Sequence, residues 1–186
     1  MREADGVHVA VRVGVDVAVF VPAREAIDQA PAAPRAPLAA HLATLGWLEL
    51  RQAVAAKIEA LHGKAYNANT EITITAGATQ AIITAILAVV HPGDEVIVLE
   101  PCYDSYVPSI TLAGAVPVFV PLTPGTFRPD FGLIQAAITP RTRAIIVNTP
   151  HNPSATVLSE AEMRRLEALL APTDILVIAD EVYEHM

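Results

Sequence analysis

Four short runs constrain this chain more than any other feature: EVIVLE (Glu95 to Glu100), VPVFVPL (Val116 to Leu122), RAIIVNTP (Arg143 to Pro150) and DILVIADEVY (Asp174 to Tyr183). Each is β-branched and apolar at successive positions rather than alternate ones. A strand of that kind needs apolar cover on both faces of its sheet, which helices supply. A fifth, shorter run, ITIT (Ile72 to Thr75), precedes a tight Ala76-Gly77-Ala78-Thr79 turn. The segments between the runs carry helical signals, so five strands alternate with helices. That pattern predicts an α/β fold with a mostly parallel sheet.

The helical signals are specific. Leu50, Val54, Ile58 and Leu61 recur at helical spacing, and Gly63 follows as a C-terminal stop. A second apolar helix runs through Ile82, Ile86 and Val89 and ends at His91-Pro92-Gly93-Asp94. Asp130 is placed to cap Phe131 to Ile138, and Ser159 with Glu162 forms a capping box ahead of Leu166, Leu169 and Leu170.

Composition removes several classes of function. The 186 residues are 53% hydrophobic and 17% charged, with 20 acidic against 12 basic side chains and a net charge of -8. An acidic chain lacks the basic stripe that phosphate backbones and anionic membranes require, so no nucleic acid and no membrane is expected as a partner. No run reaches the roughly 18 uninterrupted apolar residues of a membrane span. Glu3, Asp5, Arg12 and Asp16 interrupt the start where a signal peptide is apolar. The single cysteine, Cys102, makes no internal disulfide, and the cytoplasm is the expected compartment.

Residues 1–45 have a different texture. Val7, Val9, Val11, Val13 and Val15 alternate as in a strand, but the other face mixes His8, Ala10, Arg12 and Gly14. Pro31, Pro34 and Pro37 then interrupt regular structure. We read residues 1–45 as an atypical, poorly ordered N-terminal arm.

In open α/β sheets, ligands bind at the carboxyl ends of the strands. Those ends carry Gly77-Ala78-Thr79, Glu100-Pro101-Cys102-Tyr103, Asn148-Thr149-Pro150-His151-Asn152-Pro153 and Asp180-Glu181-Val182-Tyr183. The first is an anion site by its physics, since N–H groups at a helix start carry partial positive charge. A glycine there also serves purely steric needs. Tyr103 is equally a core aromatic with a wetted hydroxyl, and the Asn/Pro run an ordinary turn. Asp180 follows a run of apolar residues, where a carboxylate is costly unless a cation meets it. Tyr183 is placed to point to either face.

Taken together, ITAGATQAI, PGDEVIVLEPCYDSY, NTPHNP and ADEVYEHM resemble the first part of the large domain of fold-type I pyridoxal-phosphate enzymes, the class I/II aminotransferases. The wording is most similar to the methionine and kynurenine aminotransferase branch. The resemblance covers residues 46–186 and implies an incomplete three-layer α/β/α domain. It implies pyridoxal 5'-phosphate as cofactor, with Gly77, Ala78 and Thr79 at the phosphate and Tyr103 stacked on the ring. Asn152 and Tyr183 would hydrogen-bond the phenolic oxygen, with Asn152 also near the substrate carboxylate. Asp180 would pair with the protonated ring nitrogen. Asn152-Pro153 is the corresponding candidate for a cis bond. The implied partners are an amino acid and a 2-oxo acid, exchanged in two ping-pong half-reactions, and a second subunit in a homodimer.

The departures from the family pattern are equally definite. The family lysine lies in a Ser-x-x-Lys segment beyond the Asp-x-x-Tyr motif, and residues 1–186 hold no such segment. Lys57 and Lys64, the two lysines present, precede the cofactor motifs and read as surface groups. No catalytic residue is therefore assigned, and the chain is expected to be a truncated, inactive form in which later sheet strands are missing. Val7 to Ala43 does not resemble the family's head, as a shifted reading frame would explain. Ala155 stands where the family has glycine. The alternatives are a non-catalytic cofactor-binding or interaction fragment and a carbon–sulfur β-lyase of the same fold. A regulator would need a basic winged-helix head, and a dinucleotide-binding domain would need more glycines than Gly77.

Overall fold

The computed structural model of the protein describes residues 11–13, 15–20 and 46–183. They form two compact units, one built on the segment up to Ala81 and the other on the segment from Ile82 onward.

In the first unit, strands β1 (Val11–Val13) and β2 (Val15–Phe20) join β3 (Ile72–Ile74) in a sheet ordered β1-β2-β3. β2 and β3 run parallel, with Ala18, Val19 and Phe20 opposite Ile72, Thr73 and Ile74. Part of the segment we read as an irregular arm is thus strand. β-branched residues at alternate positions suit an extended chain, and β3 supplies the pairing that the local sequence does not reveal. The rest of residues 1–45 lies outside the described residues.

Helix α1 (Leu48–His62) buries Leu50, Val54 and Ile58 in a cluster with Tyr66 and Ile72. Leu61, expected on the same stripe, is exposed. Gly63 ends the helix in the left-handed conformation, its N–H donating to the Glu59 carbonyl at 2.9 Å. Arg51 is buried, and its guanidinium donates to the carbonyls of Gly46 and Ala68, satisfying a charge that would otherwise be costly. Helix α2 (Ala78–Val89) follows β3.

The second unit holds four parallel strands, β4 (Glu95–Glu100), β5 (Val116–Pro121), β6 (Thr142–Asn148) and β7 (Leu176–Asp180), in the order β5-β4-β6-β7. Of the five strands expected to share one sheet, β3 pairs with β1 and β2 in the first unit, and the other four form the sheet of the second. Helices α3 (Tyr106–Leu112), α4 (Phe131–Ala137) and α5 (Glu160–Leu170) connect the four strands. Both expected caps are present. The Asp130 carboxylate accepts from the N–H groups of Gly132 and Leu133, and Ser159 and Glu162 bond reciprocally across the start of α5.

The double-sided apolar runs are accounted for by parity. Ile97, Leu99, Val120, Ile145 and Val147 pack with Phe131 and Ile134 of α4 and Leu166 and Leu170 of α5. The alternate residues Val96, Val98, Ala144, Ile146 and Ile178 are buried as well. Strand registry sets Asn148 beside Asp180 and Ile146 beside Ile178, so Asp180 belongs to the second set. At the opposite strand ends, Glu95 accepts from the Thr139 hydroxyl at 2.5 Å and from the Arg141 guanidinium.

Candidate functional site

The phosphate candidate and the remaining candidates lie in different units. In the first unit Gly77 has φ +100, a conformation that strains any residue with a Cβ, and a Cβ built there meets no atom within 4 Å. Its carbonyl accepts the first helical bond, from Ala81 at 3.2 Å, and also the Thr75 hydroxyl at 3.1 Å. Gln80 folds back so that its side-chain oxygen accepts from the Ala76 N–H at 2.5 Å. Ala78 and Thr79 therefore open α2, within the turn whose N–H groups precede any carbonyl partner in the helix. That donor set suits an anion.

The second unit brings the other candidates around the end of β7. Asp180 is 9% exposed. One carboxylate oxygen accepts from the Tyr106 hydroxyl at 2.6 Å and the other from the Val182 N–H at 3.2 Å. Both of these donors are neutral. A carboxylate so bonded keeps one further acceptor direction on each oxygen, which fits a protonated nitrogen.

The backbone around Asp180 is anchored to the neighbouring strand. The Asp180 carbonyl accepts from the Asn148 amide at 2.8 Å and from the Thr149 N–H at 3.1 Å. The Asn148 side-chain oxygen in turn accepts from the Asn152 N–H at 2.6 Å. Asn148 is thus a strut between β7 and the loop that carries Asn152. The Asn152 amide nitrogen lies 3.5 Å from the Tyr183 hydroxyl, a long hydrogen bond that sets the two predicted phenolic-oxygen partners side by side.

The loop itself is held by its own polar groups. Asn152-Pro153 is cis, as the resemblance implies, and so are Glu100-Pro101 and Thr149-Pro150. Ala155 has φ 57, the left-handed conformation that glycine adopts freely. Its N–H donates to the His151 carbonyl at 2.7 Å, while the His151 N–H donates to the Thr156 carbonyl at 2.8 Å. His151 is buried, with Nδ1 2.6 Å from the Ser154 hydroxyl. Burial holds its pKa below the ordinary imidazole value, against a hydrogen bond with the Pro101 carbonyl that acts the other way.

Tyr103 meets Tyr106 edge-on, with ring centroids 5.7 Å apart and planes at 81°. Beside it, burial and the charges of Glu100 and Asp104 raise the Cys102 pKa. Tyr106 was not among the residues singled out from the sequence. Its signals were its helical spacing from Tyr103 and the unmet need of Asp180 for a partner.

A parallel sheet with cofactor-type polar groups at its carboxyl ends defines a class, and comparison with known proteins identifies it. Residues 19–186 match the family described as aminotransferase class I and II, and the chain belongs to that family. The match begins well before Gly46, so the family pattern reaches into the head that we had set aside. Over 137 residues the chain is 49% identical to the methionine aminotransferase of Escherichia coli, covering 74% of this chain and 36% of that protein. A crystal structure from Escherichia coli, reported with a methionine aminotransferase function, superposes with TM-score 0.75 at 42% identity, over 90% of this chain and 44% of that one. The N-succinyldiaminopimelate aminotransferase of Mycobacterium tuberculosis gives TM-score 0.75 at 44% identity, over 77% and 38%. The chain therefore spans well under half the length of these relatives. The fold is part of the large domain of a pyridoxal-phosphate transferase.

Proposed function

We propose that this chain carries the cofactor-binding portion of an aminotransferase that exchanges amino groups between an amino acid and a 2-oxo acid. The buried Asp180 carboxylate, hydrogen-bonded only by neutral donors among those described above, carries this reading. It suits the protonated ring nitrogen of pyridoxal 5'-phosphate. That cofactor supplies an electron sink for the carbanion at the substrate α-carbon. Asp180 keeps the ring nitrogen protonated, Asn152 and Tyr183 take the phenolic oxygen, and Tyr103 stacks on the ring. Gly77, Ala78 and Thr79 receive the phosphate, and Asn152 also meets the substrate carboxylate. The names of the similar proteins favour transamination over β-elimination of the same substrates.

Residues 1–186 offer no lysine after the Asp-x-x-Tyr motif, so on this reading they bind the cofactor without turning it over. On the same reading the protein works as a cytoplasmic homodimer. Equilibrium titration of the chain with pyridoxal 5'-phosphate, followed by tyrosine fluorescence and repeated after borohydride reduction, tests both points. We expect saturable binding that Asp180→Ala weakens at least tenfold, with no stoichiometric reduced adduct and no transamination of methionine. Binding indifferent to Asp180→Ala would overturn the assignment.

A further inference from the structure

We propose that Tyr106 is the positioning residue of this site: its hydroxyl fixes the Asp180 carboxylate in a single orientation, ready to receive a protonated ring nitrogen. This rests on the cofactor reading above and adds a residue to it.

Three observations lead to Tyr106. It reaches Asp180 across 74 positions of sequence with a 2.6 Å hydrogen bond, short enough to be charge-assisted. Together with the Val182 N–H it ties each carboxylate oxygen once, which removes rotation about the side-chain bonds before any ligand arrives. Tyr106 is itself immobilised, being 2% exposed in the first turn of α3 with its ring against Tyr103. The same side chain thus braces the stacking candidate and the ring-nitrogen candidate.

The chemistry of the donor matters. A lysine or arginine in this place would orient Asp180 equally well but would neutralise it, cancelling the attraction for a cationic ring. A phenol orients the carboxylate and leaves its charge intact. Burial, then the charge of Asp180, holds the Tyr106 pKa far above that of an ordinary phenol. It stays a donor throughout the physiological range.

The test uses the chain as it stands and pyridoxine 5'-phosphate, which has no aldehyde and so cannot attach to Lys57 or Lys64. In proton NMR of the ligand-free chain we expect a low-field, slowly exchanging hydroxyl signal from Tyr106 that moves in Asp180→Asn. Its absence, or its indifference to Asp180→Asn, would break the link without reliance on any Tyr106 variant. Ligand affinity is then measured for the parent chain, Tyr106→Phe, Asp180→Asn and the double variant. Tyr106→Phe should weaken binding about tenfold in the parent and have no further effect once Asp180 is Asn, because it acts through that carboxylate. A merely structural tyrosine would give equal, additive losses in both backgrounds, and that result would overturn the proposal. A parent chain that does not bind pyridoxine 5'-phosphate at all would overturn the cofactor reading and Tyr106's role with it. Binding with no penalty from Tyr106→Phe would overturn the role of Tyr106 alone.

Discussion

Replacing Ala155 by glycine should stabilise the protein, against the usual direction of alanine-to-glycine changes. Ala155 sits at φ 57, held there by its N–H on the His151 carbonyl at 2.7 Å and by the 2.8 Å bond from the His151 N–H to the Thr156 carbonyl. An L-residue in the left-handed region brings Cβ against the following carbonyl, at a cost of roughly 1–2 kcal/mol. Glycine removes that contact but gives the unfolded chain more freedom, worth about 0.4–1 kcal/mol in the opposite sense. The difference is a gain of about 0.5–1 kcal/mol. With a urea slope of about 1–3 kcal/mol/M, the midpoint should rise by about 0.2–1 M at unchanged slope. Urea titration of the parent and Ala155→Gly, followed by tyrosine fluorescence, reads this directly. Ala155→Val supplies the control, since a β-branched residue should lower the midpoint. A glycine variant no more stable than the parent would refute the strain assigned to this loop.

Three further outcomes follow from the same geometry. Gly46 has φ +91, and a Cβ built on it falls 2.8 Å from the Ile74 Cβ, so Gly46→Ala combines backbone strain with overpacking. It should cost about 2–4 kcal/mol in urea titration, and a loss under 1 kcal/mol would contradict the close approach. His151, its pKa lowered by burial, is neutral in both states above about pH 6.5. As pH falls below that value the unfolded chain takes up a proton that the folded one refuses, so stability drops until the folded pKa is passed. Unfolding free energies between pH 7.5 and 5.5 should therefore fall more steeply for the parent than for His151→Gln, and parallel profiles would count against this. Cys102, whose pKa is raised by burial and by Glu100 and Asp104, should react with iodoacetamide at pH 8 about tenfold more slowly than glutathione. Equal rates would place it in a more open setting.

Much of the fold was legible because its signals are local. The runs of β4, β6 and β7 are apolar on both faces, and only a covered sheet accommodates that. Gly63, Asp130 and Ser159 act as caps because capping depends on residues within one turn. Pairing is not local, and there the reading failed. β2 finds its partner in β3, some fifty residues on, so the valine alternation could not be weighed against its mixed opposite face. Leu61 keeps the helical spacing of Leu50, Val54 and Ile58, yet nothing in the spacing tells that the cover ends one turn earlier.

The site divides in the same way. Asp180 was readable as a buried acid that needs company, and strand parity does bury it. The sequence suggested a cation as that company. Among the described residues its carboxylate instead meets the Val182 N–H and the hydroxyl of Tyr106, whose approach depends on where α3 lies against the sheet. Asn148 was read as part of a turn, whereas its amide spans two strands and its oxygen holds Asn152. Such struts become visible only when neighbouring strands are in register.

The most direct test of the central claim is ¹⁵N NMR of pyridoxine 5'-phosphate, labelled at the ring nitrogen and bound to the chain at pH 8. The account predicts a protonated nitrogen, with a shift that reverts toward the unprotonated value in Asp180→Asn. A bound ring that is unprotonated in the parent, or unchanged by Asp180→Asn, would contradict it.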